Sequence, residues 1–227
     1  MTSRFADLTA VLFDLDGTLV DSAPDLGAAA NALREARGLA PLPLAQYRPM
    51  AGAGARGMLG IAFDMTPEDG AFPAMREQFF DLFESRANRS TSAFENIEAM
   101  LSGIREKRLP WGIVTNKAMR FTTPLVQSMP LLQQAGAVVC GDTTPHSKPH
   151  PAPLLEACRL MGVDPTRCLY VGDDERDVQA GRAAGMATVA AAWGYLGRND
   201  AVDEWGADAV IRSPFDLLGL LKSAKND

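Results

Sequence analysis

The feature that most constrains the fold of this chain is a short apolar run, Ala10–Phe13, which ends abruptly in the polar segment Asp14–Thr18. A continuous apolar run of this length is typical of a strand that is buried on both faces, as in a parallel sheet. Similar runs recur along the chain at Trp111–Val114, Ala137–Cys140, Cys168–Val171, Ala187–Ala191 and Ala209–Ile211. We therefore predict a sheet of buried strands, of which the last is the weakest.

Segments of helical character separate these apolar runs. Apolar residues at three- and four-residue spacing predict helices over Ile97–Lys107, Arg120–Met129, Pro151–Met161 and Val178–Ala184. Strands that alternate with helices are typical of a doubly wound α/β domain, whose sheet is mostly parallel. Ligands of such domains bind at the carboxyl ends of the strands, so the residues that follow each strand are the first candidates for a functional site.

One long stretch interrupts this alternation. From about Val20 to Thr91 the sequence shows no convincing strand, and the helical patterns are Pro24–Arg37, Ala55–Phe63 and Pro67–Arg86. An all-helical insert directly after the first strand predicts a second, smaller domain. We therefore expect an α/β core formed by residues 1–18 and 92–227, and a helical cap domain formed by residues 19–91.

Composition narrows the class of protein further. The 227 residues carry a formal net charge of −6, which argues against a nucleic acid or an anionic membrane as a partner. We expect no membrane span and no signal peptide. The three cysteines are scattered and odd in number, which is typical of a reducing compartment. These features predict a cytoplasmic protein, either a monomer or a homodimer.

Polar residues suited to phosphoryl transfer follow four of the predicted strands. They are Asp14 and Asp16, then Thr115-Asn116-Lys117, then Lys148, and finally Asp173, Asp174 and Asp177. The predicted topology brings all of them to one edge of the sheet. Carboxylates held together repel one another unless a cation lies between them, and a site with only oxygen ligands favours Mg²⁺. We therefore predict magnesium as the cofactor and a small phosphorylated metabolite as the substrate.

The two aspartates after the first strand can divide the chemistry between them. Asp14 can attack phosphorus and form an acyl-phosphate, which splits the hydrolysis into two easier steps. Asp16 can protonate the departing alkoxide and afterwards deprotonate the water that cleaves the acyl-phosphate. The groups expected to hold the equatorial oxygens are the Thr115 hydroxyl, the Lys148 ammonium and the backbone N–H groups near Leu15 and Asn116.

These four motifs, in this order, resemble those of the haloacid dehalogenase-like hydrolase superfamily, in the branch with a helical cap after the first strand. The resemblance implies that Asp14 is the nucleophile and Asp16 the acid/base. It also implies that Mg²⁺ is held by the Asp14 side chain, the Asp16 backbone carbonyl and Asp173, with Asp177 in support, and it leaves Asp174 a minor role. The superfamily's dehalogenases lack the second carboxylate and its transport ATPases carry threonine there, so Asp16 favours C–O–P cleavage.

The segment Gly52–Gly57 spells the dinucleotide-binding pattern GxGxxG. It follows no predicted strand, so we reject a dinucleotide site and expect a flexible loop that opens the Ala55–Phe63 helix. In relatives within the superfamily the equivalent cap loop faces the active site and helps to select the substrate. That resemblance makes Arg56 a candidate anion contact, and the alternative is an ordinary surface arginine beside a glycine hinge.

Within the superfamily the chain resembles the phosphoglycolate phosphatase family, which implies 2-phosphoglycolate as the first substrate to expect. The stretches that carry this resemblance are Phe13–Leu26, Val114–Lys117, Lys148–Pro151 and Gly194-Tyr195. Other stretches resemble bacterial N-acetylmuramic acid 6-phosphate phosphatases of cell-wall recycling, namely Gly54–Arg56, Trp111–Lys117 with Arg120-Phe121, and Gly172–Asp177. Ala118 departs from the proline usual after Thr-Asn-Lys in both families, and we expect 2-phosphoglycolate as the substrate with N-acetylmuramic acid 6-phosphate as the alternative.

Two remoter functions share this set of residues. A phosphotransferase of the β-phosphoglucomutase type would use the same nucleophile, but would pass the phosphate to a sugar. A non-enzymatic receiver-like signalling module also uses Asp, Thr, Lys and Mg²⁺, but it carries no cap. The position of Asp14–Thr18 on the first strand and the inserted helices argue against a receiver.

Overall fold

A six-stranded parallel sheet forms the centre of the structure, which is a computed structural model describing residues 4–5, 7–86, 88–197 and 201–221. The strands of the described chain are β1 (Ala10–Phe13), β2 (Val20–Asp21), β3 (Ser92–Ala93), β4 (Trp111–Val114), β5 (Val138–Val139), β6 (Cys168–Gly172), β7 (Ala187–Ala191) and β8 (Ala209–Ile211). The order in the main sheet is β5-β4-β1-β6-β7-β8, with every neighbouring pair parallel. The predicted parallel α/β sheet is confirmed.

Helices cover both faces of this sheet and form the insert after β1. In the described residues they are α1 (Ala23–Glu35), α2 (Leu44–Tyr47), α3 (Gly54–Phe63), α4 (Phe72–Arg86), α5 (Ile97–Glu106), α6 (Met119–Ser128), α7 (Ala152–Met161), α8 (Glu175–Ala183) and α9 (Pro214–Leu220). Short 3₁₀ helices occupy Arg48–Ala53, Leu132–Gln134, Pro165–Arg167 and Val202–Glu204. None of the described helices has the length and apolar character needed to cross a membrane.

The burial of β1 explains why its sequence is uninterruptedly apolar. Val11 and Phe13 pack in a hydrophobic cluster with residues of α5 and α9. Ala10 and Leu12 point to the opposite face and pack with residues of α7 and α8. All four side chains are fully buried, because the strand lies inside the sheet with helices on both sides. This position places the segment after β1 at the middle of the sheet edge.

Two helices begin more than two residues away from their predicted starts, and each does so for a local reason. The predicted helix Pro67–Arg86 begins only at Phe72, because the carboxylate of Asp69 accepts a hydrogen bond from the Thr66 N–H and closes a turn there. The predicted helix Val178–Ala184 begins earlier, at Glu175. Asp174 caps this helix, with its side chain accepting from the helix and its own N–H donating to the helix's third residue.

The insert after β1 is helical except at its entrance. The expectation of no strand between Val20 and Thr91 was wrong at β2, which pairs antiparallel with β3. A strand of two residues is too short to show a period in the sequence, and only its partner defines it. Helices α1 to α4 share a hydrophobic cluster that is separate from those of the sheet, while the domain boundaries at residues 19 and 91 stay a prediction.

Candidate active site

The carboxyl ends of β1, β4 and β6 lie side by side in the sheet, and each leads into a residue of the predicted site. Asp14 follows β1, Thr115 follows β4 and Asp173 follows β6. Lys148, in the segment after β5, reaches the same place, since its Nζ lies 2.8 Å from Oδ1 of Asp14. The fold therefore brings together residues that are far apart in the sequence, as expected of a doubly wound sheet.

Three carboxylates form the floor of the site. Oxygen atoms of Asp14, Asp173 and Asp177 all lie within 4.8 Å of one another, and all three residues are largely buried. Burial raises the pKa of Asp14 to about 7, with Lys148 acting against this rise and Asp177 adding to it. Burial, followed by the charges of Asp14 and Asp177, raises the pKa of Asp173 well above its usual value. The cluster is therefore short of positive charge.

Lys148 is the buried cation that faces these carboxylates. Its Nζ donates hydrogen bonds to Oδ1 of Asp177 at 2.7 Å, to the Tyr170 hydroxyl at 2.8 Å and to the Val114 carbonyl at 3.0 Å. Burial alone would lower the pKa of Lys148, but the charges of Asp14 and Asp177 outweigh it, and the pKa is raised. Lys148 is therefore held as an ammonium beside the Asp14 carboxylate.

The side chain of Asn116 fixes the backbone of Lys148. Its Nδ2 donates to the Lys148 carbonyl and its Oδ1 accepts from the Lys148 N–H, both at 2.9 Å. This double contact ties the segment after β5 to the end of β4. Asn116 thus has a structural task in addition to the phosphate contact that the sequence predicts for its backbone.

Asp173 is held from both sides by residues of other segments. Its Oδ1 accepts from the Thr18 hydroxyl at 2.9 Å, and its Oδ2 accepts from the Tyr195 N–H at 2.8 Å. Two glycines make room for it. A Cβ on Gly17 would lie 2.1 Å from Oδ2 of Asp173, and a Cβ on Gly194 would lie 2.2 Å from its Cβ. Gly17 therefore leaves the space that the Asp173 carboxylate occupies, and Thr18 holds that carboxylate by a hydrogen bond.

The carboxylate oxygens of Asp14, Asp173 and Asp177 are ligands that suit a hard divalent cation. Oδ1 of Asp14 is buried and receives no hydrogen bond of normal geometry from the described residues, and its contact with Lys148 is an ion pair. Asp14 and Asp173 supply oxygen ligands, which magnesium prefers. Asp177 is already engaged through both oxygens, by Lys148 and by the Asp174 N–H, so a supporting role suits it better than direct ligation.

Asp16 lies apart from the three carboxylates and has partners of its own. Nζ of Lys117 donates to its Oδ1 at 3.0 Å and to its Oδ2 at 3.2 Å, and the Ser22 hydroxyl donates to Oδ1. Ser22 directly precedes α1, and its N–H donates to the Tyr195 hydroxyl at 2.8 Å. The entrance to the helical insert is therefore bound to the side chain expected to act as the acid/base.

A cavity of about 420 Å³ opens above this floor. Asp14, Asp16, Thr115, Asn116, Lys148, Asp173 and Asp177 line it from the sheet side. Arg56 is otherwise exposed and lines the cavity from the first turn of α3, so it reaches the cavity from a helix and not from the flexible loop that the sequence predicted. The Leu15 side chain is buried in the core, whereas its N–H approaches the Asp14 carboxylate and lowers the pKa of that group.

A second contact joins the insert to the sheet near Asp174. Arg176 pairs with both oxygens of the Asp174 carboxylate and donates to the Gly52 carbonyl at 2.9 Å. Gly52 belongs to the GxGxxG segment, which forms a 3₁₀ turn and the start of α3 and follows no strand. The rejection of a dinucleotide site agrees with this placement, and Asp174 serves to cap α8 and hold Arg176.

The sequence placed Lys117 at a strand end of the site but assigned it no role, and it left Ser22 and Tyr195 out of the site. Lys117 stands in the same motif as Thr115, so its charge beside a strand end was a usable signal. Ser22 and Tyr195 carried no such signal, because their contacts depend on how the insert leaves the sheet. Trp193 packs against the hydrophobic cluster that contains Val11 and Phe13, and it donates to the Thr18 carbonyl at 3.0 Å.

Comparisons with known proteins agree with this arrangement. The sequence model of the family described as haloacid dehalogenase-like hydrolase matches residues 11–191. An N-acetylmuramic acid 6-phosphate phosphatase of Pseudomonas aeruginosa is 39% identical over 220 residues, which cover 97% of each chain. A phosphoglycolate phosphatase of Xanthomonas campestris pv. campestris is 44% identical over 209 residues, covering 92% of this chain and 94% of that one.

A solved structure shows the same fold. The crystal structure of a predicted phosphoglycolate phosphatase from Haemophilus somnus superposes with a TM-score of 0.82 and 25% sequence identity, covering 98% of this chain and all of the other. The match extends over both the sheet and the helical insert. By its motifs, its fold and these relatives, the chain belongs to the haloacid dehalogenase-like hydrolase family.

Proposed function

We propose that this chain is a Mg²⁺-dependent phosphomonoester hydrolase that works through an aspartyl-phosphate on Asp14. The observation that carries the proposal is the placement of that carboxylate on the floor of the cavity. It lies 2.8 Å from the Lys148 ammonium and in reach of Asp173, while Asp16 opens into the same cavity. A nucleophile, a fixed cation, an oxygen-ligand set and a second carboxylate are the parts that phosphoryl transfer needs.

In the first step an oxygen of Asp14 attacks phosphorus, and the bond between phosphorus and the alcohol oxygen breaks. Asp16 gives its proton to the departing alkoxide. Lys148, the Thr115 hydroxyl and the backbone N–H groups of Leu15 and Asn116 hold the phosphoryl oxygens. The Thr115 hydroxyl accepts from the Lys117 N–H at 3.1 Å, which leaves its own hydrogen free to donate.

In the second step Asp16, now ionised, takes a proton from water. That water attacks phosphorus and the acyl-phosphate bond breaks. Inorganic phosphate is released, and the Asp14 carboxylate is regenerated. Asp14, the Asp16 backbone carbonyl and Asp173, with support from Asp177, would hold the magnesium. Bound there, the ion would offset the repulsion between the anionic nucleophile and the anionic phosphate.

Two phosphorylated carboxylic acids are the candidate substrates. Relatives at 44% and 39% identity are named for 2-phosphoglycolate and for N-acetylmuramic acid 6-phosphate, respectively. Each compound carries a phosphate ester and a carboxylate. Arg56 and Arg76 also line the cavity, in addition to the cation beside the phosphate site. Their guanidinium groups can pair with the carboxylate of either compound. We therefore propose a small phosphorylated carboxylic acid as the substrate class.

Phosphate release in the presence of Mg²⁺ tests the proposal directly. The value of kcat/KM is measured for both candidate substrates, with Asp14→Asn as the blank and Asp203→Asn, an exposed site outside the cavity lining, as the matched control. A hundredfold preference, roughly 2.7 kcal/mol of transition-state discrimination, would decide between the two substrates. Mass spectrometry of rapidly denatured enzyme during turnover is expected to find the phosphate on Asp14.

The expected result is loss of turnover in Asp14→Asn and normal turnover in Asp203→Asn. A chelator should abolish activity, and Mg²⁺ should restore it. Activity of Asp14→Asn close to that of the wild-type protein would overturn the assignment of the nucleophile. If the wild-type protein releases no phosphate from either substrate or from p-nitrophenyl phosphate, the phosphatase function itself is wrong.

A further inference from the structure

One wall of the cavity is built from aromatic rings. Phe79, Phe80 and Phe83 line it from α4, and Phe121 lines it from α6. The ring centroids of Phe80 and Phe83 each lie 5.3 Å from that of Phe121, and Phe79 stacks on Phe83 with an interplanar angle of 4°. Because each ring is fixed by its neighbours, this wall is formed before a ligand arrives.

Phe80 is the ring that keeps the most surface free. Phe79, Phe83 and Phe121 are each 5% exposed or less, whereas Phe80 is only half-buried. The first three belong to the hydrophobic core of the insert, and their loss would disturb its folding. Phe80 can therefore be changed to examine the wall without opening a large cavity in the core.

Cations surround this aromatic wall. Arg76 precedes Phe80 by four residues on α4, so it lies on the same helix face, and it lines the cavity. The Arg120 guanidinium lies 4.9 Å from the ring centroid of Phe80 and 4.5 Å from that of Phe121. Arg56 lines the cavity from α3 and makes no hydrogen bond or ion pair within the described part of the chain.

One carboxylate opposes the cations of α4 and α6. Glu77 lies 2.9 Å from Arg76 and 4.0 Å from Arg120, and all three side chains are about half exposed. Ion pairs exposed to this degree contribute little to stability, so the side chains can readily take other partners. Glu77 is shared between two guanidinium groups, so it offsets only part of the charge of Arg76, which is the one of the three that lines the cavity.

We propose that the end of the cavity formed by the aromatic wall and Arg76 binds the alcohol part of the substrate. We propose that it selects an alcohol with a ring that carries an anionic group. This inference rests on the proposed phosphatase function and narrows its substrate class. The C–H face of a saturated ring packs on phenylalanine, and a carboxylate on the ring pairs with guanidinium. A two-carbon acid has no ring to cover the wall. The volume of about 420 Å³ also lies within the range of roughly 300–1,000 Å³ that is typical of sites for larger ligands.

Three phosphates that combine a ring and a carboxylate in different ways provide the test. N-acetylmuramic acid 6-phosphate has a ring and a carboxylate, glucose 6-phosphate has a ring alone, and 2-phosphoglycolate has a carboxylate alone. Their kcat/KM values and their calorimetric dissociation constants are compared in the Mg²⁺-loaded wild-type protein and in Phe80→Ala and Arg76→Gln. Leu82→Ala, on the same helix and also half-buried but outside the cavity lining, is the control.

The wild-type protein is expected to prefer the ring that bears the carboxylate. Phe80→Ala should weaken both ring phosphates about tenfold and 2-phosphoglycolate less than about twofold. Arg76→Gln should weaken only the two phosphates that carry a carboxylate, with the larger loss for N-acetylmuramic acid 6-phosphate. Leu82→Ala should leave the order of the three unchanged.

Two results would overturn the inference while leaving the phosphatase function in place. One is a wild-type preference for 2-phosphoglycolate, and the other is an equal loss of all three phosphates in Phe80→Ala. In both cases, hydrolysis of p-nitrophenyl phosphate by the wild-type protein and not by Asp14→Asn would show that the protein is still a phosphatase. If no phosphate is hydrolysed, the phosphatase function fails, and the calorimetric ranking of the three compounds decides the inference alone.

Discussion

Nζ of Lys117 lies 3.0 Å and 3.2 Å from the two carboxylate oxygens of Asp16, so the ammonium faces that carboxylate almost symmetrically. The backbone of Lys117 is fixed on both sides, because its N–H donates to the Thr115 hydroxyl and its carbonyl accepts from the Gly141 N–H. Its Nζ also lies 4.9 Å from the ring centroid of Phe83 in the helical insert. Lys117 therefore connects the proposed acid/base to both the sheet and the insert.

The variant Lys117→Met is expected to lose about ten- to a hundredfold in kcat, since Asp16 would lose the partner that orients it. Lys117→Arg keeps the charge and should recover part of that loss, which a purely structural role would not explain. Steady-state kinetics of both variants, with melting temperatures to check the fold, provide the measurement. A kcat for Lys117→Met equal to that of the wild-type protein would show that Lys117 does not position Asp16.

The metal-free protein is expected to lose stability as the pH rises. Burial raises the pKa of Asp14 to about 7 in the folded state, whereas the unfolded value is about 3.9. Folding therefore favours the protonated carboxyl, and this contribution is present at low pH and lost as the pH rises through about 7. The melting temperature in chelator should fall between about pH 4 and pH 7 and change little above that range. Added Mg²⁺ should offset the fall.

Asp14→Asn is the control for this pH dependence, because it has no proton to release at that position. Its melting temperature in chelator should fall less over the same pH range. An identical fall in both proteins would assign the effect to other groups.

The variant Tyr195→Phe is expected to lower the free energy of unfolding by about 1–3 kcal/mol. The Tyr195 hydroxyl accepts from the N–H groups of Ser22 at 2.8 Å and Ala23 at 3.0 Å, and it lies 3.2 Å from Oδ1 of Asp21. Its loss leaves the buried Ser22 N–H without an acceptor, while the Ala23 N–H keeps only Oδ1 of Asp21 at 3.3 Å. Urea denaturation measures the change, and Tyr47→Phe, which loses one hydrogen bond, should cost less. Equal stability of Tyr195→Phe and wild type would contradict the argument.

Gly17→Ala is expected to weaken Mg²⁺ binding more than tenfold and to reduce kcat/KM by a similar factor. A Cβ at this position would lie 2.1 Å from Oδ2 of Asp173, so the proposed metal ligand would have to move. Gly38→Ala is a matched control, because both glycines have positive φ but a Cβ on Gly38 meets no atom within 4 Å. Magnesium titration of the two variants separates displacement of Asp173 from backbone strain, which costs on the order of 1 kcal/mol in both. Equal Mg²⁺ affinity in the two would rule out the proposed displacement.

The parts of the fold that sequence patterns predicted well are those with a strong local signal. The fully buried runs such as Ala10–Phe13 became strands of one parallel sheet, and Gly54–Phe63 formed the helix expected there. The start of α4 was predicted too early, because the turn at Asp69 replaces a helical turn. β2 was missed because a strand of two residues is recognised only through its pairing with β3.

Local sequence patterns were enough to predict the parallel α/β sheet, the helical insert and the strand-end residues Asp14, Thr115, Lys148 and Asp173. A strand buried on both faces has an unbroken apolar sequence, and the carboxyl ends of parallel strands lie at one edge of the sheet, so both features can be predicted from short stretches of the chain. The partners of those residues, in contrast, became known only from the folded structure. Lys117 meets Asp16 across 101 positions of sequence and Tyr195 meets Ser22 across 173, so the contacts depend on strand order and side-chain direction, which no local pattern records.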